Sequence, residues 1–191
     1  MSGKGCSQTT QVACNAQGCN MKIIGISGKM GSGKSTLAKH IMNKYEDVVV
    51  EKVAADLYAI QDFIYNRLGL VMKGEKDRDL LIAIGEWGRN ISPSLWTDAC
   101  FKRVSKLENN IVMIDDIRFP EEAEAVLKLG GVLVRLEGTQ RGPNVDPKSA
   151  NRSSETALDN YPFKHVISNL GTQEETIEQL ERILNQEVQD G

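Results

Sequence analysis

The sequence predicts an α/β fold, a mostly parallel five-stranded sheet with helices on both faces, and three observations carry that expectation. From Lys22 onward, short apolar runs alternate with amphipathic segments, the pattern of a sheet covered by helices. The first run, KIIGIS, passes through a glycine-rich loop into a helical segment. The chain has 191 residues, 40% hydrophobic and 26% charged, which suits one domain with a real core and excludes a large multidomain assembly.

Residues 1–20 carry one charge and almost nothing large enough to pack, so they read as a flexible leader before a domain spanning 21–191. A chain beginning at Met21 would look complete. Neither a paired knuckle nor a nearby histidine completes a four-ligand metal set from Cys6, Cys14 and Cys19 in this leader, and with Cys100 they are too few and too unevenly placed for a disulfide scaffold. After KIIGIS and its loop, LAKHIMNKY reads as a helix packed through Leu37, Ile41 and Met42. DVVVEKVA reads as the second strand, and helix 57–68 places Leu57, Ile60, Ile64 and Leu68 on one face. Residues 69–77 read as a mobile connection.

Helix 78–91 is expected to turn Leu80, Leu81, Ile84 and Trp87 inward. After it, Ser92 and Pro93 read as the cap and first turn of a helix packed through Leu95, Trp96, Ala99, Val104 and Leu107. Both tryptophans read as core anchors. IVMI is a buried strand ending in Asp115-Asp116, followed by helix 120–129, opened by Pro120, with Glu121 and Glu122 at its favourable N-terminal end, and stopped by Gly130-Gly131. VLVRL and HVIS complete the strands, and Thr172 with Glu175 makes a capping box for a last helix packed through Ile177, Leu180, Ile183 and Leu184. The polar segment 137–155, with Arg141, Lys148 and Arg152, reads as a lid.

Lys plus Arg number 23 against 26 Asp plus Glu, a formal charge of -3, so no global positive field exists to hold a nucleic-acid polymer. No stretch approaches the roughly 18 apolar residues of a membrane helix, and no secretory segment is evident, so the expected compartment is the cytoplasm.

The sharpest feature is Gly28-Lys29-Met30-Gly31-Ser32-Gly33-Lys34-Ser35, which fits G-x-x-x-x-G-K-[ST] between a strand and a helix. Such a loop wraps backbone N–H groups around phosphate oxygens at a helix N-terminus. Gly28, Gly31, Ser32, Gly33, Lys34, Ser35 and Thr36 are the candidate triphosphate residues, with Lys34 reaching the β/γ-phosphates and Ser35 coordinating Mg²⁺. Thr36 fits a ligand contact and simple first-turn hydrogen bonding equally well.

Either Asp115 or Asp116, at the carboxyl edge of its strand, can help hold hydrated Mg²⁺; Asp115, directly after the apolar run, is the favoured metal ligand. Phosphoryl transfer also needs cations, and Arg118, Arg141 and Arg152 make the best trio, so Lys34, Asp115 and these three arginines are the candidate catalytic set. Arg78, Arg89 and Arg103 can line an acceptor cleft, and Asp56 fits either an acceptor contact or a helix cap. His40 and His165 read as structural or surface residues.

The order of these motifs resembles the deoxynucleoside monophosphate kinase family of P-loop kinases, particularly the viral type. The resemblance rests on ISGKMGSGKST, AADLYAI, RDLLIAIGEWGRNISPSLW, IDDIRFPEEAEAVLKLGGVLVRL and NRSSETALDNYPFKHVISNLGT, covering about residues 22–180. It implies a P-loop kinase fold and Mg²⁺-dependent transfer from ATP to a deoxynucleoside monophosphate in a cytoplasmic enzyme. It also implies that Asp56, Asp116, Arg118, Ser154 and Glu155 serve the acceptor side, with residues 57–107 as an acceptor-binding insertion. Leu57 stands where the family commonly has proline, and Asn151-Arg152 where it often has Asp-His. Those departures bear on acceptor preference and lid contacts. A homodimer stays open. The competing readings are dephospho-coenzyme A kinase or another small-molecule kinase, and a nucleotide-controlled interaction module.

Overall fold

The computed structural model describes residues 21–74, 76–109, 111–138 and 153–189. The leader with Cys6, Cys14 and Cys19, and most of the expected lid, including Arg141, Lys148, Asn151 and Arg152, lie outside the described residues. The chain order is β1 (Lys22–Ser27), α1 (Lys34–Lys44), β2 (Val48–Glu51), α2 (Ala55–Leu68), α3 (Arg78–Ile91), α4 (Leu95–Val104), β3 (Ile111–Ile117), α5 (Pro120–Lys128), β4 (Val132–Glu137), α6 (Ser153–Thr156), β5 (His165–Ser168) and α7 (Gln173–Gln189). The sheet runs β2-β3-β1-β4-β5 with every pairing parallel. Central β1 is therefore covered on both faces, which is why KIIGIS is a continuous apolar run and not an alternating one.

Alternation of side chains along the strands divides the core in two. Ile24 and Ile26 of β1 join Met113, Val134, Leu37, Ile41, Ile177 and Leu180 beneath α1 and α7. Ile23 joins Val112, Ile114, Trp96, Phe101, Ala123 and Val126 beneath the α2–α5 helices. IVMI does not end the third strand: β3 continues through Asp115, Asp116 and Ile117. Gly25 pairs with Ile114 but Ser27 with Ile117, so β3 carries one extra residue, a bulge at the carboxyl edge. The bulge returns Ile117 to the α2–α5 face, where it is buried.

Several boundaries and faces differ from the sequence expectation. Ser92 closes α3, its N–H donating to Gly88 O at 3.0 Å, and Ser94 is the residue that precedes α4. Pro93 falls in the turn between them. Met42, off the buried strip of α1, and Leu68, the last residue of α2, are exposed. Trp96 is 6% exposed, as an anchor should be, whereas Trp87 is 59% exposed. The inward strip of α3 is Ile84, Gly85 and Gly88. It is narrow because Gly88 admits the Trp96 indole, whose Nε1–H donates to Gly85 O at 3.0 Å, and Trp87 lies off that strip. Residues 69–77 are tied at their far end: Asp77 caps α3 by accepting from Leu80 N at 3.1 Å and is gripped by Tyr65 Oη at 2.7 Å.

A methyl group at Gly88 would lie 2.3 Å from Trp96 Cζ2. The Gly88→Ala variant is therefore expected to lose about 3 kcal/mol and about 6–12 °C of melting temperature, checked by thermal denaturation.

Candidate active site

The loop between β1 and α1 needs glycine for two separate reasons. Gly33 has φ of 98°, and a Cβ there would sit 2.4 Å from Asn169 Nδ2; at Gly28 a Cβ would meet Leu136 O at 2.6 Å. Asn169, just after β5, clamps the loop by donating from Nδ2 to Ser32 O at 2.7 Å, while its Oδ1 accepts from Thr176 Oγ1 at 3.0 Å. Ser32 itself turns its hydroxyl under the loop, where it is buried and has no hydrogen-bond partner among the described residues. Thr36 N–H donates to Gly33 O at 3.1 Å, an ordinary first-turn bond.

Lys34 folds back over the loop, donating to Gly28 O at 2.6 Å and Lys29 O at 2.8 Å. Burial pushes its ammonium down to about 8, with the nearby Arg118 adding to the fall and Glu155 opposing it. Across the sheet edge, Ser35 Oγ donates to Asp115 Oδ2 at 3.3 Å, and Lys52 Nζ approaches Asp115 Oδ1 at 2.5 Å. Consecutive strand residues face opposite sides. Asp115 accordingly serves the α1 side, and Asp116 the α2 side, where it accepts from Val53 N at 2.8 Å and Ala54 N at 3.0 Å and so fixes the entry to α2. Burial pushes the Asp116 carboxyl above the usual carboxylate range.

Beside this edge lies a cleft of about 310 Å³. Leu57, Leu81 and Trp96 give it apolar walls, while Tyr58, Arg89, Phe119 and Arg118 give it aromatic and cationic ones. The Arg89 guanidinium stacks 4.3 Å from the Phe119 ring centroid. Arg118 pairs with Glu155 and donates to Ser154 O at 3.3 Å, and Glu155 accepts from Met30 N at 2.8 Å. The cleft and the phosphate loop thus adjoin at Arg118 and Glu155. Asp116 and Ser154 also line the cleft. Asp56 and Arg103 do not: they pair with each other, and Arg103 also reaches Glu51 Oε2 at 3.3 Å and Lys52 O at 2.7 Å, tying α4 to β2 and α2. Arg78 opens α3 outside the cleft lining.

Sequence reasoning assigns no such role to Lys52, Arg135 or Asn169, although Asn169 stands in the segment HVISNLGT, and it reads Glu122 only as an acid at the start of its helix. Arg135 had a signal, an arginine inside the buried run VLVRL; it reaches Ser27 Oγ and Asp159 Oδ1, each at 3.3 Å, and Lys29 meets the same aspartate at 3.0 Å. Glu122 sits in the cleft wall, its Oε2 accepting from Arg118 N at 2.7 Å and Phe119 N at 3.1 Å at the start of α5. Burial pushes its carboxyl up to about 8, against these two N–H groups, and the neighbouring Asp116 raises it further. The folded protein then holds a proton that the unfolded chain releases near 4.5, so this group's contribution to stability falls as pH rises from 4.5 to about 8. Glu122→Gln is expected to gain on the wild type by at least about 3 °C in melting temperature between about pH 5.5 and about pH 8.5, checked by paired melts.

The oxygen set at Asp115 and Ser35 suits Mg²⁺, which takes one or two protein oxygens and completes its shell with water and phosphate. Among the described residues no cluster of three or more His, Cys, Asp or Glu side chains forms an all-protein metal cage. Cys100 is buried in the core, where burial pushes its thiol up to about 12. No described helix is long and apolar enough to cross a membrane.

No protein-family model matches the chain, and no curated protein sequence does. Among solved structures it is similar to TT1252 from Thermus thermophilus, at 20% identity and a TM-score of 0.50 over 87% of this chain and 98% of that one. The shikimate kinase of Aquifex aeolicus aligns at 18% identity and a TM-score of 0.49, over 88% of this chain and 99% of that one. With a five-stranded parallel sheet flanked by helices and a G-x-x-x-x-G-K-S loop between its central strand and α1, the chain shares the α/β fold of TT1252.

Proposed function

We propose that this protein is a Mg-ATP-dependent phosphotransferase whose acceptor is a deoxynucleoside monophosphate. The observation that carries the reading is the junction of the glycine-rich loop with the aromatic- and arginine-lined cleft at Arg118. A triphosphate on the loop meets Lys34 and the α1 N-terminus. A planar base fits between the apolar walls and the Arg89–Phe119 stack, leaving the acceptor phosphate toward Arg118.

The chemistry then needs positioning and charge stabilisation more than proton abstraction, because an acceptor phosphate oxygen is already a nucleophile. Lys34 leaves the Gly28 and Lys29 carbonyls to bind the donor's phosphates, and Arg118 offsets charge on the group in transit. Asp115 and Ser35 would hold Mg²⁺, which supplies neutralisation of the donor oxygens when bound. Arg141 and Arg152 remain proposed contributors from the segment outside the described residues, and Asp116 is proposed to shape the acceptor side from the α2 entry. Asp56 and Arg78 lie away from the cleft lining, which weakens the acceptor role expected of them.

ADP formation from Mg-ATP, with product identification, tests the reading across the deoxynucleoside monophosphates, their ribonucleotide counterparts and dephospho-coenzyme A. Selective conversion of a deoxynucleoside monophosphate is the expected result. Conversion of dephospho-coenzyme A alone moves the protein to another small-molecule kinase class, which shares the donor half of the site. Nucleotide binding without transfer to any acceptor defeats the kinase reading.

A further inference from the structure

Glu155 is a buried carboxylate whose two oxygens go to two different half-sites. Oε2 accepts from Met30 N–H at 2.8 Å, inside the phosphate loop, and Oε1 pairs with Arg118, in the wall of the acceptor cleft. The Arg118 guanidinium is held a second time by Ser154 O at 3.3 Å, so the short helix α6 presents both a carbonyl and a carboxylate to one arginine. With both oxygens committed to protein donors, Glu155 acts through its neighbours and not by touching a substrate. Its span is fixed: the same side chain must reach the loop amide and the arginine together.

We propose that Glu155 is a positioning residue that couples the donor and acceptor sites. Phosphates seated on the loop set the direction of the Met30 N–H, that bond sets the carboxylate, and the carboxylate sets where Arg118 stands in the cleft. Acceptor affinity therefore rises when the donor site is filled and, by linkage, donor affinity rises equally when the acceptor is bound. This rests on the acceptor reading given under Proposed function.

The test measures binding of the preferred deoxynucleoside monophosphate by calorimetry, with and without saturating Mg-AMP-PNP, in the full-length wild type, Glu155→Gln and Glu155→Asp. Gln keeps an acceptor for Met30 N–H but loses the charge on Arg118; Asp keeps the charge but loses the span, and carries the test if the first variant does not fold. The wild type is expected to bind the acceptor at least about fivefold more tightly with the donor analogue present, and either variant less than about twofold. Wild-type coupling below twofold, or full coupling retained in a folded variant, overturns the proposal while leaving the kinase reading standing. If the wild type binds the analogue but no deoxynucleoside monophosphate under either condition, the acceptor reading fails and this inference goes with it.

Discussion

Lys34→Ala is expected to reduce kcat/KM for ATP by about 10²–10³-fold, because it removes the ammonium that the loop motif sets against the donor's phosphates. The fold should survive the change. Among the described residues Lys34 Nζ bonds only the Gly28 and Lys29 carbonyls, both within the loop itself, so its removal leaves the two apolar cores intact. A melting temperature within a few degrees of wild type, alongside lost turnover, checks both halves. The depressed ammonium adds a pH signature. In the empty protein it titrates at about 8, and a bound polyanion restores its proton, so donor affinity is expected to weaken above pH 8 with a limiting slope of about tenfold per pH unit. That slope should vanish in Lys34→Ala, as measured by Mg-AMP-PNP binding across pH. The effect on stability has the opposite sense. Between about 8 and 10.5 the unfolded chain holds the proton that the folded one has lost, so this group makes the empty protein more stable as pH rises through that window.

Asp115→Asn is expected to lower turnover by about 10²-fold and to raise the Mg²⁺ concentration needed for half-maximal rate, as read from initial rates at fixed ATP. The buried Asp115 carboxylate faces Ser35 and Lys52, and an amide offers one oxygen and no charge where two oxygens and a charge stood. Asp116→Asn gives the contrast. That carboxylate accepts two backbone N–H groups at the entry to α2, so its loss should appear as a lower melting temperature with an unshifted Mg²⁺ requirement. Equal Mg²⁺ shifts in both variants would remove the division of labour between the two aspartates.

Much of this architecture was legible in the sequence because it is written locally. Periodicity marked the helices, glycine spacing marked the phosphate loop, and Thr172 and Glu175 announced the α7 cap, whose reciprocal bonds are 2.9 and 3.2 Å. What was not legible depends on partners distant in the chain. Trp87 and Trp96 look alike in sequence, and only the narrow strip left by Gly85 and Gly88 decides which one is buried. The continuation of β3 through two aspartates contradicts local polarity, and it holds because Asp115 meets Ser35 and Lys52 while Asp116 meets the α2 backbone. Asp56 looked free for an acceptor until α4 brought Arg103 to it. Lys52 carries no motif at all, and Glu122 reads locally only as an acid in the first turn of α5; their importance comes from the carboxylate and the backbone amides that the fold sets beside them.

The place of β1 in the sheet has a consequence for how the chain is made. The strand that carries the phosphate loop is synthesised first among the described strands, yet its two neighbours are β3 and β4, beginning at Ile111 and Val132. Neither partner exists while the first half of the chain is emerging, so KIIGIS waits as an unpaired apolar strand flanked by two vacant edges. Parallel pairing across such separations is slow to close, and the wait is the interval in which a chaperone or a neighbouring nascent chain has most to bind. The glycine-rich loop is thus encoded early and seated late, and codon-dependent pauses between Leu57 and Leu107 would lengthen the vulnerable period without touching a residue of the loop itself.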